Sequence, residues 1–410
     1  MKTNNTFYRF SDFVRCPKWK GHPLSHFLKE RKEKSDGIAT VHSVSLQYGL
    51  VNQVDYLGRN YAAEDTSNYK LVYPNDVVYT KSPTGAFPYG IIKQNRNPYK
   101  VIVSPLYGVF KPINKYIGYI IQSYFEVPNR LNKYLSPIIQ KGAKNTINIS
   151  NSTFISREVV LPENEQEQKK IAQYLASINT QIRQQQKQID VLIQHKKALL
   201  QQLFPQRGQS TPLLRYFIGS KKKWHYVEMR KVAILRTKRN VNNSKKVMTN
   251  SANYGIIMQQ DYFERNIVDN DHLQKYYIVE NGDFVYNSRI SVTAPVGPIS
   301  KNYLATGVIS PLYMVFRFNI DKDDFYVYYF QSEHWQVQLK RIANNGARFD
   351  RMSISPSDFF NIKVPVPSAE EREYISKLFI SIDNLINNMQ QKVDLLMLQK
   401  KGLLQKLFPN

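Results

Sequence analysis

The most constraining feature of the chain is a long internal repeat. Residues 167–205 reappear as residues 371–409, an offset of 204 residues in a chain of 410. The matches keep their register throughout, from Ile171 with Ile375 to a shared Leu-Phe-Pro ending. Chance similarity between two helices would not hold this register. A repeat this long predicts two copies of a whole domain-plus-helix module, and therefore approximate internal two-fold symmetry.

Weaker matches extend the repeat upstream of these segments. Residues 75–79 (NDVVY) correspond to residues 282–286 (GDFVY), and residues 104–107 and 310–313 both read SPLY. Between such matches the residues differ freely. We therefore expect two globular domains that share a scaffold and carry different surface loops.

The repeat divides the chain into four predicted segments. A first globular domain occupies residues 1–160 and is followed by a helix at residues 161–206. A second globular domain occupies residues 207–366, and a second helix ends the chain at residues 367–410. Each globular domain has roughly 160 residues, an ordinary size for a domain with its own core.

The two strongest repeats are typical of coiled-coil helices. Apolar residues recur at alternating steps of four and three, acidic residues fill the first turns, and Pro162 and Pro367 come just before the helices. A helix of about 40 residues would be ~60 Å long and could act as a rigid spacer. The predicted pairing seam consists of Ile171, Leu175, Ile178, Ile182, Ile189 and Leu192, with Ile375, Phe379, Ile382, Ile386, Val393 and Leu396.

The linker after the first helix decides how the helices can pair. Residues 206–212 can span only ~25 Å, so the second domain must begin near the end of the first helix. Antiparallel pairing follows most easily, with one globular domain at each end of the rod. The alternative is that each helix packs on its own domain. Lys196 and Lys400 interrupt the seams. We interpret them as exposed last-turn lysines favoured by the helix dipole, and the alternative is that they are register markers or partner contacts.

Both globular domains show mixed secondary-structure signals. Runs rich in Val, Ile, Tyr and Phe predict strands, and helical stretches lie between them. The predicted fold class is α+β, with two similar domains separated by two long helices in an antiparallel coiled coil. The predicted strand regions are residues 70–80, 100–110, 276–287 and 307–318, and the predicted helices are near residues 113–126 and 324–343.

The charge of the chain indicates a polyanionic partner. Lysine and arginine total 57 against 32 acidic residues, which gives a formal charge of +25. Nucleic acid is the leading candidate. An alternative is that a Lys- and Asn-rich composition reflects biased codon usage. The only cysteine, Cys16, has no companion, and no segment looks like a signal peptide or a membrane span, so we expect a soluble intracellular protein.

Two polar loops in each domain are the candidate DNA contacts. One loop follows the predicted strand at residues 70–80 or its counterpart at residues 276–287, and the other precedes a repeated Ile-Ser pair. Arg, Asn, Lys, Ser and Thr are the residue types that bind base edges and phosphates. A solvated loop is the alternative at every position. The candidates are Lys81, Ser82, Thr84, Lys141, Lys144 and Asn145 in the first domain and Asn287, Ser288, Arg289, Asn345, Arg348 and Arg351 in the second.

A search for catalytic machinery finds no site. The chain lacks GxxxxGK[ST], GxGxxG and HExxH motifs. His22 and His26 are close in sequence, but Pro23 lies between them and no third ligand is near. We therefore predict no catalytic residue, no metal site and no cofactor bound by this chain.

The starts and ends of the two long repeats carry recognisable motifs. These are Leu161 and Pro162 with Glu167, Gln168 and Ile171, their counterparts Val366 and Pro367 with Glu371, Arg372 and Ile375, and the two Leu-Phe-Pro endings. Together with the order of domain, helix, domain and helix, they resemble the specificity subunits of bacterial type I restriction-modification systems. The likeness covers essentially the whole chain. The second copy departs from the first by having Arg372 where the first has Gln168.

The resemblance implies a non-catalytic DNA-reading subunit. Each target-recognition domain would read one half of a bipartite, asymmetric site, while the helix pair sets the spacer and docks the partners. Those partners would be two methyltransferase subunits, with S-adenosylmethionine, and restriction or translocase subunits that use ATP and Mg²⁺. The rival interpretations are a stand-alone two-domain DNA-binding regulator or architectural protein, and a methyltransferase or nuclease in its own right.

Overall fold

The computed structural model describes residues 9–14, 17–58, 64–141, 147–206, 209–215, 223–262, 270–343 and 350–408. The chain divides into two compact units. Unit 1 comprises residues 1–186 and 391–410, and unit 2 comprises residues 187–390. Each unit thus holds one globular domain, the start of one long helix and the end of the other.

Short strands and helices alternate in unit 1. Its strands are β1 Gly21–Pro23, β2 Leu28–Glu30, β3 His42–Ser45, β4 Gly49–Asn52, β5 Lys70–Val72, β6 Val77–Tyr79, β7 Ile92–Gln94, β8 Val101–Val103, β9 Gly108–Pro112, β10 Gln140–Lys141, β11 Ile147–Asn148 and β12 Glu158–Val160. Its helices are α1 Gln53–Leu57, α2 Lys115–Tyr124, α3 Pro128–Leu135 and α4 Asn151–Ile155, followed by the long helix α5 Glu165–Gln202 that continues into unit 2.

Unit 2 repeats this order. Its strands are β13 His225–Glu228, β14 Ala233–Leu235, β15 Met248–Ser251, β16 Gly255–Met258, β17 Tyr277–Val279, β18 Phe284–Tyr286, β19 Ile299–Lys301, β20 Gly307–Ile309, β21 Met314–Phe318 and β22 Lys363–Val366. Its helices are α6 Gln259–Tyr262, α7 Asp324–Tyr329, α8 Gln336–Ile342 and α9 Pro356–Phe360, followed by the long helix α10 Ala369–Leu407 that continues into unit 1. Short 3-10 helices lie at Ser11–Phe13, Leu24–His26, Met229–Lys231 and Asn270–Lys275.

The sheet topology confirms the internal repeat. Unit 1 has an antiparallel sheet in the order β2-β9-β6-β7, and unit 2 has the same sheet as β14-β21-β18-β19. The hairpin β3-β4 and the pairs β5-β8 and β1-β12 likewise return as β15-β16, β17-β20 and β13-β22. Both units are therefore α+β and are built on one plan, as the sequence predicted.

Each predicted strand region holds two short strands and not one long strand. Residues 70–80, for example, contain β5 and β6 with a turn between them. The Asp76 carboxylate closes this turn by accepting the backbone N–H of Tyr73 at 2.8 Å, and Asp283 does the same for Glu280 at 2.7 Å. The helix predicted near residues 324–343 is likewise broken into α7 and α8.

Stacked aromatic side chains form the core under each sheet. The rings of Tyr79 and Phe154 stack with centroids 4.5 Å apart, and those of Tyr286 and Phe359 stack at 4.8 Å. All four side chains are fully buried. Because burial of an aromatic side chain stabilises a fold by ~1.5–3 kcal/mol, these stacks fix α4 and α9 against the central strands β6 and β18.

The long helices pair antiparallel inside each unit. In unit 2, near the end of α5, the Phe204 ring stacks on Phe379 at 6.4 Å, and the Lys196 ammonium lies 2.6 Å from Asp383 further along α10. In unit 1, Leu404 and Leu407 share a core with the start of α5. The predicted antiparallel pairing is confirmed, although both helix ends also enter the globular cores.

None of the helices in the described ranges is both long and apolar enough to cross a bilayer.

Burial along the predicted seam is the same in both copies. Seam positions are buried or half-buried, whereas most positions between them are exposed. The fully buried members are Ile171, Leu175 and Ile189, with Ile375, Phe379 and Val393, and the half-buried members are Ile178, Ile182 and Leu192, with Ile382, Ile386 and Leu396.

The interpretation of the seam lysines as exposed last-turn residues is wrong. Lys196 pairs with Asp383, and the Lys400 ammonium lies 2.5 Å from Glu126, which Lys93 also contacts at 3.1 Å. Burial alone would raise the pKa of Glu126, but Lys93 and Lys400 hold it below its ordinary value. Both helices continue beyond these lysines, so the lysines are fixed by side-chain carboxylates and not by a helix terminus.

A duplicated ion pair anchors the start of each long helix. The Arg9 guanidinium contacts the Glu167 carboxylate at 2.6 Å, and the Trp19 indole donates to the same carboxylate at 3.1 Å. In unit 2, Arg215 and Trp224 bind Glu371 at 2.8 and 3.0 Å. The carboxylates are 2% and 6% exposed. The same three residue types therefore tie each helix to the first residues of its own globular domain.

We predict that Glu371→Ala destabilises unit 2 by about 3–5 kcal/mol, because it leaves the Arg215 guanidinium and the Trp224 N–H without their buried acceptor. Denaturant unfolding followed by circular dichroism measures the change. Glu373→Ala is the matched control, since this carboxylate pairs with Lys377 at the surface of the same helix turn. Equal unfolding midpoints for the two variants would contradict the anchoring role.

Candidate nucleic-acid interface

The central strand of each sheet ends in a polar loop. Residues 80–90 follow β6 and residues 287–297 follow β18. The buried Tyr79 hydroxyl donates to the carbonyl of Tyr89 at 2.7 Å, and Tyr286 donates to the carbonyl of Val296 at 2.8 Å. The aromatic core therefore holds the far end of each loop, and the same bond is present in both units.

A glycine at the end of each loop lies close to the backbone at the start of the same loop. Gly90 and Gly297 have φ values of +89° and +84°. A Cβ on Gly90 would lie 2.9 Å from the backbone nitrogen of Lys81, and one on Gly297 would lie 2.0 Å from the carbonyl oxygen of Asn287. Only glycine combines this φ with so close an approach of the backbone.

The two predicted loops of unit 2 lie side by side. Arg289 and Arg351 form an antiparallel backbone bridge. The N–H of Ile290 donates to the carbonyl of Asp350 at 3.0 Å, and the N–H of Met352 donates to Ser288 at 2.9 Å. The structure thus joins three predicted residues, Ser288, Arg289 and Arg351, in one surface.

The corresponding loops of unit 1 are joined by a side chain. Lys81 has a φ of 54°, and its ammonium donates to the carbonyl of Ile149 at 2.9 Å. Burial is the main reason that the pKa of Lys81 is lowered. This lysine therefore braces the junction of the two loops, and its charge is not freely exposed to a ligand.

The remaining predicted residues fall into different environments. Asn287 is buried, and its amide donates to the carbonyl of Asn250 at 2.9 Å, so it supports the loop. Arg289 and Ser82 are exposed, and Thr84 is half-buried. Lys141 ends strand β10. The predictions for Lys144, Asn145, Asn345 and Arg348 lie outside the described residues, and all twelve DNA contacts stay predictions.

Sequence reasoning missed a third element, the hairpins β3-β4 and β15-β16. Both tips read Ser-x-x-Tyr-Gly, at residues 45–49 and 251–255. Tyr48 is 47% exposed and Tyr254 is 69% exposed. An alignment of the two copies at an offset of 206 residues shows this match, which is short enough to be overlooked.

In unit 2 the hairpin contacts the joined loops. The Thr293 hydroxyl donates to the Asn253 carboxamide at 3.2 Å, and the Asn250 amide donates to the carbonyl of Val285 at 2.8 Å. Val292 is fully exposed next to this contact. The hairpin tip and the joined loops therefore adjoin one another through Thr293 and Asn253. They carry arginine, amide, hydroxyl and aromatic residues, which are residue types that can contact base edges and phosphates. Within the described ranges, no three His, Cys, Asp or Glu side chains are placed to hold a metal ion.

Part of this chain matches a known protein family. Residues 221–396 match the family model described as the type I restriction modification DNA specificity domain. The match includes most of unit 2, and the resemblance that the sequence indicated is confirmed. Unit 1 repeats the strand order of unit 2.

Two relatives extend the comparison beyond the specificity domain. The type I restriction enzyme MjaVIII specificity subunit of Methanocaldococcus jannaschii is 24% identical over 276 residues, which is 63% of this chain. The chain spans 62% of the length of that relative. The crystal structure of a type I restriction-modification S subunit from M. genitalium aligns over 100% of this chain and 98% of its own, with a TM-score of 0.58 and 12% identity. The chain therefore has the fold of that S subunit.

We predict that Arg351→Ala weakens DNA binding by about 1–3 kcal/mol, because a guanidinium bound to a base edge discriminates by this amount. The loss should depend on the sequence of one half of the bound site and not on that of the other half. Binding to duplexes in which one half-site at a time is scrambled measures the effect. Arg230→Ala, which removes an exposed arginine elsewhere in unit 2, is the control. An equal loss on every sequence would identify a phosphate contact instead.

Proposed function

We propose that this chain is the DNA-binding specificity subunit of a type I restriction-modification complex, in which each unit reads one half of a bipartite, asymmetric site. The observation that carries the proposal is the contrast between scaffold and loops. The loops read TKSPTGAFPYG at residues 80–90 and NSRISVTAPVG at residues 287–297, yet both are held by the same tyrosine bond and the same glycine. Equal scaffolds with unequal loops give two different half-sites.

The charge of the chain supports duplex DNA as the ligand. A formal charge of +25 attracts the phosphate backbone, which supplies sequence-independent affinity. Specificity then comes from the side chains that the joined loops and hairpin tips present to base edges. Arg289 and Arg351 in unit 2 are the strongest candidates, since an arginine can bind guanine with two hydrogen bonds.

The long helices would set the distance between the half-sites and would bind the partner subunits. Each exposes apolar side chains at matched positions, Val191 and Ile193 on α5 and Leu395 and Met397 on α10. Exposed apolar groups at equivalent positions fit a partner that binds twice through the same surface. Two methyltransferase subunits are such a partner, and the helices between the globular domains would fix the number of base pairs between the half-sites.

Catalysis would then belong to the partner subunits. S-adenosylmethionine would be bound by the methyltransferase, and ATP and Mg²⁺ by the restriction or translocase subunits. This chain would determine which DNA sequence the complex recognises. The proposal assigns it no catalytic residue.

Mapping of N6-methyladenine tests the function directly. The chain is co-expressed with the candidate methyltransferase subunit of its host, and the genome of the expressing cell is compared with a control that lacks this chain. A single bipartite motif that depends on the chain supports the proposal and gives both half-sites and the spacer. A stable complex with an active methyltransferase but without new methylation would favour a stand-alone DNA-binding protein.

We predict that deletion of residues 186–192 and 386–392 shortens the spacer by about three base pairs and leaves both half-sites unchanged. Each deletion removes one heptad, ~10 Å of helix, and preserves the alternation of four and three along the seam. The methylation map of the double-deletion variant measures the spacer. Changed half-sites with the original spacer would refute the separation of reading and spacing.

A further inference from the structure

Unit 1 contains a basic pocket that lies away from the candidate DNA loops. The pocket has a volume of about 290 Å³ and is lined by Gln94, Arg96, Lys115 and Tyr119, with Ala172 and Gln173 from the second turn of α5. In the sheet register, Gln94 is opposite Val77, whereas the candidate loop begins after Tyr79. The pocket therefore lies at the opposite end of β6 from that loop, beside the long helix.

The two cations of this pocket are exposed, and each lies near a tyrosine ring. The Arg96 guanidinium lies 4.9 Å from the centroid of the Tyr119 ring, and the Lys115 ammonium lies 5.3 Å from the centroid of Tyr116. The Tyr119 hydroxyl in turn accepts a hydrogen bond from Asn179 of α5. Among the residues that the structure describes, neither Arg96 nor Lys115 forms an ion pair, and no carboxylate lines the pocket. A stacked, planar guanidinium is prepared for an oxyanion.

The equivalent place in unit 2 shows which oxyanion fits. There Lys301 replaces Gln94 and Tyr303 replaces Arg96. The Lys301 ammonium lies 2.7 Å from Asp323 and 2.8 Å from Asp324, and the Tyr303 hydroxyl donates to Asp324 at 2.9 Å. Unit 2 thus supplies carboxylates from its own chain at the position where the unit 1 pocket is lined by Arg96 and Lys115 without a carboxylate.

We propose that the basic pocket of unit 1 binds an aspartate or glutamate side chain of a partner protein. Resting on the proposed function, the partner is the methyltransferase copy that docks on unit 1. Among the described residues of unit 2, Asp323 and Asp324 already neutralise the equivalent cation. The two methyltransferase copies would therefore be held by unequal contacts. A DNA phosphate fits the position less well, since the pocket is beside the helix and not among the joined loops.

Titration of the chain with its methyltransferase subunit, by isothermal calorimetry, tests the proposal. In the variant Arg96→Gln with Lys115→Gln, we expect one of the two binding steps to weaken about tenfold to hundredfold and the other to stay unchanged. Arg96→Lys should give a smaller loss, since an ammonium cannot form the paired contact. The control is Lys29→Gln with Lys111→Gln, which removes the same charge from two exposed lysines at the other edge of the sheet.

Each other outcome decides against the proposal. Equal affinities for the pocket variant and the control, with unchanged unfolding midpoints, would show that the pocket contributes nothing to binding. A loss of DNA affinity by the pocket variant alone, without methyltransferase, would identify a phosphate site. If the unaltered chain forms the complex and methylates a bipartite motif while the pocket variant binds equally well, only the pocket proposal fails. If the unaltered chain binds no methyltransferase, the proposed function fails first and the pocket proposal with it.

Discussion

The architecture depends on a carboxylate placed at the start of each long helix. Glu167 and Glu371 each receive a guanidinium and an indole N–H from residues near the start of the globular domain, and in each case the carboxylate is buried. A buried carboxylate is costly unless it is paired and hydrogen-bonded, so these bonds oppose separation of the helix start from its domain. The same chemistry therefore fixes the start of both long helices.

The sequence was most informative where a pattern repeats over many turns. The seam of α5 and α10 was predictable residue by residue because heptad spacing reports burial directly, down to the matched burial of Ile189 and Val393. The division of each strand region into two strands was less predictable. In residues 70–80 the turn between the strands is closed by the Asp76 carboxylate, which accepts an N–H from a residue three positions earlier. The presence of an aspartate alone does not reveal that bond. Lys196 and Lys400 were misjudged for a related reason, since their partners Asp383 and Glu126 are far away in sequence.

The candidate interface shows a sharper limit of sequence reasoning. Both loops of each unit could be chosen from polar composition and from their place after a strand. Only the tertiary structure shows that the loops are joined through the Arg289–Arg351 bridge. It also shows that Asn287, predicted to contact a base, is buried and supports the loop. Composition cannot separate a side chain that faces solvent from one that closes a turn, because the same hydrogen-bonding groups serve both purposes.

The comparison of the two copies adds information that neither copy holds alone. Groups retained at equivalent places, such as Tyr79 with Tyr286 and Gly90 with Gly297, build the scaffold, because their bonds and backbone angles are the same in both units. Groups that differ mark the places where the units do different work. These differences occur at both ends of the central strand, in the loops at one end and at the pocket of Arg96 or its neutralised counterpart at the other. A duplicated scaffold can thus diverge independently at these two surfaces, since they share a strand but no side chain.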